Sequence, residues 1–294
     1  MEAPQSPDLS WRRTVERAGR AADGALQQPR LAPAGVAYQG LALGWTLGLG
    51  AALAVAARLK PSLGAAGAEL SLPRAGAGLD ALGLMDARVL VSAFSERRWS
   101  VPGALLALVA LRLAPGLARA IASGERGDAL GLGRGSGRSV AALWAQLVLT
   151  MFAASGLVLG AALLALEVVG EDASAALGKV AVGLALTFLV VYGATLGALY
   201  HLALASLVRH RRGAGSALLH AWRLVRAQPA AAARAIFVEG AAVLALGALA
   251  VAIDVGWVLT IALMAVIGGA RARFWAASYT AFGGVEPVGE TDGA

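Results

Sequence analysis

Cysteine is absent from this 294-residue chain. That excludes disulfides, thiolate nucleophiles and cysteine-ligated metals together. Charge is also scarce, at 15% of residues against roughly 25% in ordinary soluble domains, too little to hydrate the surface of a water-soluble enzyme. Disorder is excluded from the opposite side, because disordered chains combine low hydrophobicity with high net charge and this one is 58% hydrophobic. Aromatics are few (6%), and lysine is nearly missing, so the basic residues are almost all arginines. What is abundant is apolar length: mean hydropathy is +0.69. The class left standing is an all-α, polytopic membrane protein.

A helix needs about 20 mostly apolar residues to cross the hydrocarbon core, since unpaired backbone groups are expensive in lipid. Six stretches reach that length, at about 38–57, 101–121, 140–169, 180–208, 231–253 and 255–277. Arg112 and the Pro115-Gly116 pair interrupt the second, the polar turn 170–174 separates the third from the fourth, and Asp254 marks a tight turn before the sixth. The division expected is a cytoplasmic arm over 1–37, a six-helix transmembrane domain over 38–282 and a solvated tail over 283–294.

Arginine placement orients the spans, because cytoplasmic flanks hold the excess of basic residues. With the N-terminus inside, seventeen Lys and Arg fall on inner segments and seven on outer ones, so both termini are expected in the cytoplasm of a bacterial inner membrane. The charge of +7 is then largely an orientation signal. Nucleic acid is disfavoured as a partner, because the arginines lie beside apolar spans without interleaved stacking aromatics. The first 30 residues lack the continuous apolar core of a cleavable signal peptide.

Trp11, Val15, Ala18, Ala22 and Leu26 recur at steps of three and four, with Arg12, Arg13, Arg17 and Arg20 mostly on other faces. This is the pattern of an amphipathic helix lying in the membrane interface, its arginines on anionic headgroups. Leu218, Leu219, Trp222 and Val225, beside Arg223 and Arg226, repeat it before the fifth span, and a looser version occupies 119–138. The pattern fits three arm-plus-hairpin units; it equally fits any six-span chain with its termini inside. Small residues four apart (Gly40, Gly44 and Gly48; Gly156 and Gly160; Gly193 and Gly197) point to close helix packing in one bundle, with homo-oligomerisation as the second meaning.

Motifs for chemistry are missing. His201, His210 and His220 are nine and ten residues apart without an acidic neighbour, unlike the short spacings of zinc sites. There is no Gly-x-Ser-x-Gly elbow or Gly-Lys-Ser/Thr phosphate loop, and the loose dinucleotide pattern at Gly76–Ala81 follows no strand. No cofactor, metal or enzymatic activity is expected.

Ionisable groups within spans are the sharpest features, since each is costly in lipid. Arg112 lies about 16 Å into the second span from outside and Glu239 about 12 Å into the fifth from inside, at 1.5 Å per residue, so in a core about 30 Å thick they can pair. Gln146 and His201 fall in the same inner-leaflet layer. Arg112, Glu239, His201 and Gln146 are therefore the candidate polar site. Either they line a cavity in which Arg112 binds an anion and Glu239 or His201 handles a proton, or an Arg-Glu pair fixes helix register.

The stretch 204–240 carries Arg209-His210-Arg211-Arg212-Gly213, then Ser216-Ala217-Leu218-Leu219-His220-Ala221-Trp222-Arg223-Leu224-Val225-Arg226, then Pro229 and a new span. It resembles a recurring feature of uncharacterised bacterial six-span membrane proteins related to the membrane domain associated with glycerophosphodiester phosphodiesterases. Pro115-Gly116-Leu117 before an arginine-bearing arm is similar to their second-span exit. The resemblance implies a multi-pass inner-membrane protein and transfers no catalytic residue. The function expected is non-enzymatic: a membrane-embedded component acting on lipids, the envelope or a partner complex. The alternative is a transporter or permease for a small or anionic solute.

Overall fold

The computed structural model describes residues 9–42, 52, 97–123, 129–169, 174–252 and 257–284. All secondary structure among them is helical: α1 (Trp11–Leu26), a 3-10 turn (Pro29–Leu31), α2 (Ala32–Ala42), α3 (Arg97–Ser123), α4 (Ala129–Leu132), α5 (Gly137–Val169), α6 (Ser174–His210), α7 (Ala214–Ala227), α8 (Pro229–Ala252) and α9 (Trp257–Ala281). Most of the expected first span, the linker 59–96 and the tail beyond Gly284 lie outside the described residues, as do the Gly44–Gly48 ridge and the turn at Asp254.

Local chemistry sets the ends. Ser10 caps α1 by accepting the Arg13 amide N–H on its hydroxyl at 3.4 Å, and Arg12 and Arg13 both pair with Glu16 at 3.0 Å. Pro29 closes the first arm by opening the 3-10 turn, and Pro229 opens α8 at its first residue, where its missing N–H is harmless. α3 runs unbroken through Pro115 and Gly116, both buried. Neighbouring helices in a bundle compensate the bond that proline removes.

α9 is the central strut. It packs on α1, α2, α3 and α6, while α5 and α7 flank α6. The tightest crossing is between α2 and α9: a Cβ at Gly268 would overlap the Gly35 carbonyl oxygen, and a Cβ at Gly35 would overlap that of Ala265. Two backbones meet there with no side chain between them. The ridge at Gly156 and Gly160 has open space instead, while Gly193 and Gly197 are buried.

Burial is concentrated at the arm-bearing ends of the helices, where Leu117, Leu143, Leu202, Leu204, Trp275 and Tyr279 form one core. Toward the other ends large apolar side chains point outward: Leu108 on α3, Leu149, Leu157 and Leu164 on α5, Leu184, Phe188 and Val191 on α6, and Ile261 on α9. Two helical segments, Gly137–Ala162 and Thr187–His210, are long and apolar enough to cross a membrane among the described residues.

The arms keep most of their bulky apolar residues at the surface. α1 buries Thr14 and Ala21, with Ala25 against Gly269 of α9, and leaves Trp11, Val15 and Leu26 at the surface. α7 likewise buries Ala217, Ala221 and Leu224, while Leu219 and Trp222 stay exposed. Small residues allow close approach to the bundle, so Ala21, Ala217 and Ala221 take the inward face, with Leu224 beside them on α7, while Trp11, Val15, Leu26, Leu219 and Trp222 face out. In the middle arm the described residues comprise the end of α3 to Ser123, the single turn α4 and the start of α5 at Gly137.

Candidate functional site

Four helices meet at a buried polar cluster. α2 supplies Tyr38 and Gln39, α6 supplies His201, α8 supplies Glu239, and α9 supplies Arg271 and Trp275. The Gly35–Gly268 crossing positions it: Gln39 is one turn beyond Gly35 on α2 and Arg271 one turn beyond Gly268 on α9, so close backbones bring these side chains side by side.

Arg271 Nε donates to Glu239 Oε1 at 2.5 Å and Nη1 donates to Gln39 Oε1 at 3.0 Å. The Arg271 side chain is 14% exposed and that of Glu239 10%, so the charges are balanced mainly against each other. The Tyr38 hydroxyl lies 2.7 Å from His201 Nδ1. With tyrosine as donor, the imidazole proton sits on Nε2, the nitrogen that faces Glu239 Oε1 at 3.9 Å. The His201 ring is nearly parallel to those of Tyr38 (centroids 5.4 Å apart) and Trp275 (5.7 Å), and Tyr200 meets it edge-on. Tyr38, Gln39, Tyr200, His201 and Trp275 are each at most 2% exposed. The cluster has the parts of a hydrogen-bonded relay, enclosed by aromatic rings.

The expected site is only partly assembled. Glu239 and His201 come together, but the cation beside Glu239 is Arg271. Arg112 is exposed on α3, and α8 packs on α1, α6, α7 and α9. Matching depth alone does not make a pair. Gln146 is exposed on α5, at the rim of a small groove lined mainly by leucines, with Thr150 and Tyr200.

Arg271, Gln39, Tyr38 and Trp275 are the members that pattern reading passes over. Arg271 reads as an inner-flank orientation charge, yet it lies within the sixth apolar stretch, about 9 Å from its inner end at 1.5 Å per residue. That depth, close to those of Glu239 and His201, is the signal for it. Gln39 reads only as one polar position in the first span.

Among the described residues no group of three or more His, Asp or Glu side chains could hold a metal ion. No protein-family model, curated protein or solved structure matches the chain.

Proposed function

We propose that this chain is a multi-pass bacterial inner-membrane protein of six spans with both termini in the cytoplasm, acting without catalysis as an embedded component on lipids, the envelope or a partner complex. In this reading the Arg271–Glu239 cluster locks the register of α2, α6, α8 and α9 where the arms meet the bundle. The observation that carries it is the buried tie between helices: the Arg271 guanidinium donates to the Glu239 carboxylate and to the Gln39 amide oxygen behind aromatic rings. The outward-facing leucines, valines and phenylalanines support a lipid surroundings, since in water an exposed apolar belt of this size is unfavourable at roughly 25 cal/mol per Å². The exposed Trp11 and Trp222, flanked by arginines, support arms resting on anionic headgroups. The resemblance of 204–240 to uncharacterised six-span membrane proteins agrees with it.

A solute path is the weaker reading. Arg112, the group meant to bind an anion, is exposed on α3, and the cation paired with Glu239 is Arg271.

The absence of cysteine makes the test direct, because single cysteines can be introduced on an unlabelled background. Membranes carrying Ser216→Cys or Ser174→Cys are treated with a membrane-impermeant maleimide. Expected are retention in the pellet after alkaline carbonate, labelling of Ser174→Cys from the outer side, and labelling of Ser216→Cys only once the inner membrane is opened. Release by carbonate, or labelling of both from the same side, would contradict the topology.

A further inference from the structure

α5, α6 and α7 meet around the small groove whose rim carries Gln146. Leucines from all three helices wall it: Leu143 and Leu147 from α5, Leu196 and Leu199 from α6, and Leu218 from α7. Three polar side chains share the lining, Gln146 and Thr150 of α5 and Tyr200 of α6. α7 is the arm whose Leu219 and Trp222 are exposed, so Leu218 brings one end of the groove up to the level of a helix lying at the boundary of headgroups and acyl chains. Gln146 is about 9 Å beyond Val140 at 1.5 Å per residue, within the inner half of a core about 30 Å thick.

Two features of this groove point to an amphiphile. Tyr200 is 1% exposed, and its hydroxyl has no hydrogen-bond partner among the described residues. Buried polar atoms in that condition are uncommon and call for a partner. Gln146 and Thr150 are exposed beside it, on a helix face that also turns Leu149 outward. In a lipid surrounding no water is at hand to complete the hydrogen bonds of such an amide and hydroxyl. A bare hydrocarbon tail would fill the leucine walls and leave these polar groups unpaired, and a polar solute would do the reverse.

We infer that the groove holds one acyl chain of an inner-leaflet glycerolipid, the chain lying among the leucines and its ester carbonyl accepting from the Tyr200 hydroxyl. At the rim the Gln146 amide and the Thr150 hydroxyl donate to the remaining ester and glycerol oxygens. Ester carbonyls lie just beneath the headgroups, at the level to which α7 brings the groove. Selection is then for the ester linkage and not for the charge of the headgroup. The inference rests on the membrane reading above and gives its lipid role a place on the molecule.

The test uses the full chain purified in detergent. Native mass spectrometry compares retention of diacyl phosphatidylglycerol with that of its dialkyl ether analogue, which has the same headgroup and chain length but no carbonyls. The arginines of the arms meet both lipids alike, so a difference between them reads the ester. Expected is a preference for the diacyl lipid of about threefold or more, the size of one hydrogen bond. Tyr200→Phe keeps the ring edge-on to His201 and should abolish that preference without lowering the melting temperature. Leu218→Trp, which fills the groove, should weaken retention of both lipids, while Leu219→Trp, exposed next to it on α7, should behave as the unaltered chain does. If Leu218→Trp lowers the melting temperature, Tyr200→Phe decides alone. Equal retention of the two lipids by the unaltered chain, a preference that survives in Tyr200→Phe, or the same loss in Leu219→Trp would overturn the assignment. So would a dimer that dissociates in Leu218→Trp with lipid retention unchanged, which gives the groove to a second copy. Release of the chain from membranes by alkaline carbonate would overturn the membrane reading and this inference with it; equal retention of the two lipids by a chain that resists carbonate overturns the groove alone.

Discussion

Arg271 and Glu239, 32 residues apart in the chain, are joined by a 2.5 Å hydrogen bond in a bundle whose helices α8 and α9 otherwise touch little. The pair ties α8 to α9, and through Gln39 and the His201–Tyr38 contact it also reaches α2 and α6. A polar tie suits an apolar surrounding, where burial of greasy faces gives little directional preference. Removing one member leaves the other charge buried without its counter-ion, which is far more harmful than removing both.

The α2–α9 crossing should tolerate no side chain at its centre. Gly268→Val and Gly35→Val would push the helices apart and pull Gln39 from Arg271, lowering stability by about 1–3 kcal/mol or more from overpacking. Gly156→Ala, in open space on α5, serves as the neutral comparison. Thermal unfolding in detergent followed by circular dichroism reads the difference, and equal melting temperatures for Gly268→Val and Gly156→Ala would refute the crossing.

Arg112 should be dispensable for the cluster. Because it is exposed on α3, Arg112→Gln is expected to change stability by no more than about 0.5 kcal/mol. Gln146→Ala should behave the same way. The same unfolding assay checks both, and a loss for Arg112→Gln as large as that for Glu239→Gln would restore the pairing with α3.

Acid should loosen the α6–α7 corner. Burial, followed by nearby arginines, depresses the His220 imidazole. Burial also depresses His210, against the Gly284 carbonyl, which acts upward, and Arg212 and Arg209, which act downward. A histidine whose folded value is depressed takes up its proton more readily when unfolded. This contribution is therefore complete above the ordinary histidine value of about 6.5 and is lost as pH falls below it through the folded value. The melting temperature should decline from about pH 6.5 downward, with a shallower slope in His220→Gln; identical slopes would remove His220 as a cause.

Helix ends were readable wherever the chain changes character sharply. α5 ends at Val169 and α6 begins at Ser174, on either side of the polar turn, and α8 starts at Pro229. Which faces pack was harder to read. In α1 and α7 the apolar stripe read from the sequence says nothing of the face that meets the bundle, where Thr14, Ala21, Ala217 and Ala221 go inward because small side chains permit close contact. Glu239 and His201 stood out as ionisable groups inside apolar runs. Arg271 did not, because arginine near the end of a span carries the orientation signal as well. Partner choice depends on which helices are neighbours, and depth along each helix says nothing about that.

The most direct measurement is a double-mutant cycle on Arg271 and Glu239, using thermal unfolding of the full chain in detergent. Glu239→Leu and Arg271→Met alone should each destabilise strongly, by as much as about 3–5 kcal/mol. Together they should recover much of that loss, leaving a coupling of about 1–3 kcal/mol. Additive losses with no recovery would contradict the register lock and show that the two charges act on the bundle separately.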